Sequence, residues 1–139
     1  MQREIKFRGK VKYNGNHKFS GEWIYGYYRN NENGNAFITE TLDYYSNYIF
    51  DETEVDENTI SQFTGLEDKN GVEIYEGDIV KVTLPDNRKE IGCVEYDEDY
   101  CEYRVAINKY EYASLWKKLQ FEILGNIYDN PELIEKEGK

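Results

Sequence analysis

The sequence predicts a mainly β fold, α+β at the margin. Two small lobes are expected: an N-terminal β lobe over residues 1–63 and an SH3-barrel-like lobe over residues 64–139 ending in a short helix. Three observations predict it. Short runs alternate at period two, as in Asp78 to Leu84, where Val80, Val82 and Leu84 share one face and Lys81 and Thr83 the other. Tight-turn pairs such as Asn33-Gly34, Asn70-Gly71 and Gly77-Asp78 punctuate those runs. The chain is 16% aromatic, with 14 Tyr and 6 Phe, and such residues favour strands. A turn, a Gly-Asp pair and a β-branched strand open many SH3-like barrels, hence the reading of the second lobe. At 139 residues the two lobes are expected to form one compact unit that needs no staple.

The elements follow in order. Ile5 and Phe7 alternate with Lys6 and Arg8 in a short strand. Residues 13–21 carry Asn14-Gly15 and read as a loop. Glu22 to Arg29 is a strand with Trp23, Tyr25 and Tyr27 on one face and Ile24, Gly26 and Tyr28 on the other. Both faces look coverable, so it is placed centrally. Ala36 to Thr41 returns from the Asn33-Gly34 turn as a hairpin. Tyr44 to Phe50 reads as a further strand. Asp51 to Asn58, acidic and poor in apolar residues, reads as a surface loop. Thr59 to Phe63 leads into a central motif built on Thr64, Gly65, Asn70, Gly71, Tyr75, Gly77 and Asp78. Asp78 is placed to bond neighbouring backbone N–H groups.

Beyond the motif, Glu90 to Tyr96 and Cys101 to Ile107 form a hairpin across residues 97–100. Cys93 then faces out with Glu95 and Arg104, while Cys101 faces the other way, which argues against a disulfide. Tyr112, Leu115, Trp116 and Leu119 recur at helical spacing and predict a helical turn, with a strand as the alternative. Phe121 to Asn126 is a late strand. Asn130-Pro131-Glu132 starts the last helix, with Asn as N-cap and Pro at the first helical position.

The chain from Thr64-Gly65-Leu66 through Asp68-Lys69-Asn70-Gly71 to Glu73-Ile74-Tyr75-Glu76-Gly77-Asp78-Ile79-Val80 resembles the YopX family of phage and prophage proteins. Ile5-Lys6-Phe7-Arg8, Gly21 to Tyr27 and Ile123 to Leu133 match in the same order, so the resemblance spans nearly the whole chain. Residues 36–58 and 109–120 carry no match. The resemblance implies a mostly β fold, a phage or prophage origin and no established activity. It supplies no catalytic residues.

Charge narrows the function classes. The net charge is −11 and the isoelectric point about 4.6. Nucleic-acid affinity draws on clustered Lys and Arg, so the overall balance disfavours such a partner. Basic patches remain only around Lys6, Arg8, Lys10 and Lys12 and at Lys117-Lys118. There is no apolar leader and no run of membrane-spanning length, which points to the cytoplasm of a bacterial host cell, with both thiols reduced.

Motifs for catalysis, cofactors and metals are missing from the sequence. There is no phosphate-cradling loop and no dinucleotide fingerprint. Asp68-Lys69-Asn70-Gly71 begins like a calcium loop, but Val72, Glu73 and Ile79 stand where ligand, Gly and bidentate Glu belong. His17 is the only histidine and lies in a Gly/Asn-rich loop, so a His/Cys zinc site within the chain is not expected.

What remains is surface. Glu95, Asp97, Glu98 and Asp99 concentrate acid at a hairpin tip. Tyr44, Tyr45 and Tyr48 offer rings suited to a protein interface. The reading is a non-enzymatic phage or prophage accessory protein that binds a host or phage protein, one form being an acidic mimic of nucleic acid. The alternatives are a nucleic-acid-associated module using the SH3-like lobe, and an enzyme with an unrecognised carboxylate site. Homo-oligomerisation through strand edges stays open.

Overall fold

The computed structural model describes residues 4–12, 21–40, 52–116 and 118–135, and these residues build a mainly β protein. The chain divides into two compact units, Met1–Phe63 and Thr64–Lys139.

The first unit holds β1 (Phe7–Lys10), β2 (Trp23–Asn30), β3 (Ala36–Thr39), β4 (Glu52–Val55) and the start of β5 (Ser61–Glu67). These strands are antiparallel in the order β4-β3-β2-β1-β5. Period two explains the arrangement. Ile24, Ala36, Ile38, Val55 and Val11 bury one face, and Phe7, Tyr28 and Ile60 close around them. β2 is central, as expected, but only that face of it is covered. Tyr25 and Tyr27 are 46% and 61% exposed.

Two details depart from the sequence reading. Ile5 is exposed, whereas Arg8 is buried, its guanidinium carbon 4.5 Å from the ring centre of Trp23. The ring covers the charge, so a cation occupies a position that polarity alone assigns to solvent. Residues 51–58 are not a plain surface loop: β4 and a 3-10 turn (Glu57–Thr59) lie there. Thr53 and Val55 point inward while Glu52 and Glu54 point out, and the acids hid that alternation. At Gly26, a Cβ would sit against the carbonyl of Thr39, so the missing side chain admits the β3 backbone. The expected strand at residues 44–50 lies outside the described residues.

In the second unit β5 continues to Glu67 with β6 (Glu73–Tyr75) beside it. Then come β7 (Asp78–Thr83), β8 (Lys89–Asp97), β9 (Glu102–Ala106), β10 (Tyr112–Ser114), β11 (Gln120–Asn126) and α1 (Glu132–Glu135). The five-stranded sheet runs β10-β9-β8-β7-β11: a meander whose last strand returns to its first, the SH3-like order expected here. Val80, Val82, Val94, Val105, Ile74 and Phe121 bury its inner face.

The helical turn expected from Tyr112 to Leu119 is instead β10 followed by a tight turn. Tyr112, Ala113 and Ser114 pair with Ala106, Val105 and Arg104. The ladder with β9 outweighs the helical spacing. Leu115 and Leu119 still reach the core, from a turn closed by Leu119 N–H on the Trp116 carbonyl at 2.8 Å. The β8–β9 loop lies one residue later than expected, with Asp97 opposite Glu102 and Cys101 in the turn at φ 53°. Before α1, the Asn130 side-chain oxygen accepts from Asn126 N–H at 3.3 Å, turned away from the helix it was expected to cap.

Candidate functional site

The central motif is a scaffold of turns. The Thr64 hydroxyl donates to the Ile74 carbonyl at 2.8 Å, and Leu66 N–H donates back to Thr64 at 3.3 Å. Gly65 and Gly71 take left-handed φ of 91° and 80°; Asn70 does not share that conformation, so only the glycine carries the turn. Gly77 N–H bonds the Val94 carbonyl at 2.8 Å. Tyr75 N–H donates to the buried Asp78 carboxylate at 2.8 Å, the side-chain-to-backbone bond anticipated for this acid.

Asp68, noted in the sequence only as a failed calcium ligand, joins this scaffold. Its carboxylate accepts N–H bonds from Asn70 at 2.8 Å, Val72 at 3.0 Å and Ile123 at 3.1 Å. Burial pushes the carboxyl up, but the Ile123, Val72 and Asn70 donors together with the Lys69 charge outweigh it and hold it below its ordinary value. Its oxygens face backbone donors, a poor start for a cation site. Among the described residues no group of three or more His, Cys, Asp and Glu is arranged to hold a metal ion.

The acidic hairpin is only partly a solvated tip. Arg104 donates to Glu95 at 2.7 Å and to Asp97 at 2.8 Å. Its guanidinium carbon lies 3.7 Å from the ring centre of Tyr112. The Glu95–Arg104 pairing follows from the register, since the two residues stand opposite on β8 and β9. Asp97 is only 7% exposed and also accepts from Asp99 N–H at 3.0 Å. It is therefore a structural acid. Glu98 and Asp99 stay exposed beside Tyr100 in the loop, with Tyr96 and Glu102 at the strand ends. Sequence reasoning put Arg104 with Glu95 but missed Asp97, because the loop was set one residue early. Tyr44, Tyr45, Tyr48 and His17 lie outside the described residues.

A second surface belongs to the first unit. Register places Arg8 opposite Tyr25 and Lys10 opposite Trp23, on the sheet face away from the core. By alternation Lys6 and Tyr27 share that face. The Lys6 ammonium stands 5.2 Å from the Phe63 ring centre and that of Lys10 stands 5.5 Å from Trp23. Glu4, Ile5, Lys6, Tyr25, Gly26 and Tyr27 line a cleft of about 180 Å³. The basic patch noted in the sequence is thus interleaved with rings.

Among the described residues, reactive groups are few. Burial pushes the Cys93 thiol up to about 11, with the charges of Glu95 and Asp78 adding to the effect. It stays protonated at neutral pH and is no thiolate nucleophile. Cys101 is exposed, and neither cysteine is in a disulfide. Among the described residues no helix is long and apolar enough to cross a membrane.

No curated protein matches the chain at a significant level. A family model described as "YopX protein" matches residues 6–135. That span takes in both units and every element from β1 to α1, and the chain belongs to the YopX family.

Proposed function

We propose that this YopX-family protein is a non-catalytic accessory module of phage or prophage origin that binds a protein in the bacterial cytoplasm. Its acidic second unit meets a basic surface on the partner. The observation that carries this reading is the unequal spread of charge. Residues 64–139 hold 18 acids against 10 Lys and Arg, whereas residues 1–63 hold 10 against 7. Beside the Glu95 and Asp97 that pair with Arg104, the loop presents Glu98 and Asp99 with exposed Tyr100, and Tyr96 and Glu102 flank it. Tyr is enriched in protein interfaces, where its ring contributes apolar area and its hydroxyl a hydrogen bond. Complementary charge of this kind speeds encounter and selects the partner.

Affinity capture from the bacterial host tests it. The wild-type chain and a Glu98→Lys/Asp99→Lys/Glu102→Lys variant are compared by quantitative mass spectrometry. Wild type is expected to enrich one or a few proteins that the variant loses, and that moderate salt releases. Identical recoveries from both baits would refute this assignment of the surface.

A further inference from the structure

We propose that the outer edge of β10 captures an extended segment of another protein as an added strand, a segment neutral at its centre and carrying carboxylates at its ends. This goes beyond the binding reading above. It uses another surface, of opposite local charge, and main-chain hydrogen bonds in place of a charged loop.

The ladder fixes which way β10 faces. Leu115 N–H donates to the Tyr103 carbonyl at 3.0 Å, and Ile107 N–H donates to the Glu111 carbonyl at 3.0 Å. Ala113 stands midway between these bonds, opposite Val105. Antiparallel ladders alternate, so Tyr112 and Ser114 turn their N–H and C=O groups away from β9. β10 is the end strand of its sheet, so among the described residues no strand takes up those groups. Both residues are exposed. Donors and acceptors repeating every second residue, about 6.7 Å apart, form a template for one more strand. The edge is short, and its flanks supply the rest of the hold.

Tyr110 and Trp116 flank the edge, and both are exposed, as is Tyr112 between them. The Lys109 ammonium lies 5.6 Å from the ring centre of Tyr110, and that of Lys118 lies 5.2 Å from Trp116. The chain holds 28 acids against 17 Lys and Arg, yet among the described residues neither ammonium is in an ion pair. The acids nearby are engaged: Arg88 binds Glu111 at 2.6 Å, and Glu102 accepts from the Ser114 hydroxyl at 3.1 Å. Cations at both ends of an open edge fit carboxylates on the incoming segment. Exposed rings between them fit β-branched or aromatic side chains. Glu102 beside Ser114 disfavours an acid at the segment's centre. A second copy fits poorly, since each brings a charge of −11 and the same edge lysines. Nucleic acid offers no main-chain amides to complete the ladder.

A random peptide library displayed on phage, depleted on a Ser114→Pro variant and then selected on the full wild-type chain, tests this. Proline removes the outward N–H of residue 114 and is tolerated on a strand edge, so the variant is expected to fold, as circular dichroism checks. If it does not, Lys109→Gln/Lys118→Gln serves for the depletion. Recovered peptides are expected to alternate β-branched or aromatic residues with polar ones and to carry Asp or Glu at their ends. The best peptide, synthesised and labelled, is read by fluorescence anisotropy. N-methylation of one alternate set of its amides should abolish binding, and methylation of the other set should leave it, whatever the protein variants do. Lys109→Gln/Lys118→Gln should weaken binding roughly threefold or more, and salt should weaken it less in that variant than in wild type. Glu98→Lys/Asp99→Lys, altered in the acidic loop, should bind as wild type does. The proposal is overturned if no peptide is recovered, if the recovered peptides are basic, or if the two methylation patterns act alike. Loss of binding in Glu98→Lys/Asp99→Lys also overturns it, by moving the peptide to the acidic loop. A wild-type dimer in sedimentation that Ser114→Pro dissolves would assign the edge to a second copy. Displacement of the peptide by equimolar oligo(dT) would assign it to nucleic acid, and either result refutes the peptide occupant.

Discussion

At Asp68 one carboxylate accepts three backbone N–H groups, one of them from Ile123, which lies 55 residues along the chain. Replacing it by Ala leaves those donors without their acceptor. A stranded buried donor costs about 1–3 kcal/mol, and partial access of water leaves an expected loss of about 2–4 kcal/mol for Asp68→Ala in urea unfolding. The pH dependence follows from the same contacts. The folded carboxyl is more acidic than the free one, so its contribution is complete above the unfolded value near 3.9 and is lost as pH falls through the folded value. The gap between wild type and Asp68→Ala should hold from about pH 5 to 7 and narrow below about pH 4; a gap that widens on acidification would contradict this. Asp78 was legible in advance because its partner, Tyr75 N–H, is three residues away. Asp68 was not, because one of its three bonds depends on where β11 lies.

Among elements, the β8–β9 hairpin shows how a charge cluster is balanced. Arg104 bridges Glu95 and Asp97 and stacks on Tyr112 from β10, so one side chain ties three strands. Glu95 is partly exposed and contributes little, but Asp97 is buried, and stranding a buried carboxylate is costly. Arg104→Leu is therefore expected to lower the unfolding midpoint. Adding Asp97→Asn should recover part of that loss, as a double-mutant cycle by thermal unfolding would show. Purely additive effects would mean that the two side chains do not interact. The hairpin itself was readable from its alternation. Its exact loop residues were not, because a one-residue slip leaves the apolar count unchanged while exchanging which acid faces the arginine.

For the whole molecule, the two Trp residues fall one in each unit, Trp23 and Trp116. Ile38 is fully buried in the first core and Ile74 in the second. Ile38→Ala, followed with Trp23 as the only indole after Trp116→Phe, should lower unfolding stability by about 2–5 kcal/mol. Ile74→Ala, followed through Trp116 after Trp23→Phe, should do the same in the second unit. A loss below about 1 kcal/mol at either site would show that its core is not packed as described. The sequence by itself determined the β class, the tight turns, the alternation within strands and the family, because each is written in neighbours a few residues apart. It misjudged β4, where acids masked a two-residue period, and the segment after Tyr112, where helical spacing competed with a strand. The tertiary structure decided those segments through ladders to β3 and β9, partners too distant for local propensity to anticipate. It also decided where charge is felt. Register between β1 and β2 gathers cations and rings on one face, while Arg104 pairs with two acids of the hairpin, and neither arrangement exists until the strands lie side by side.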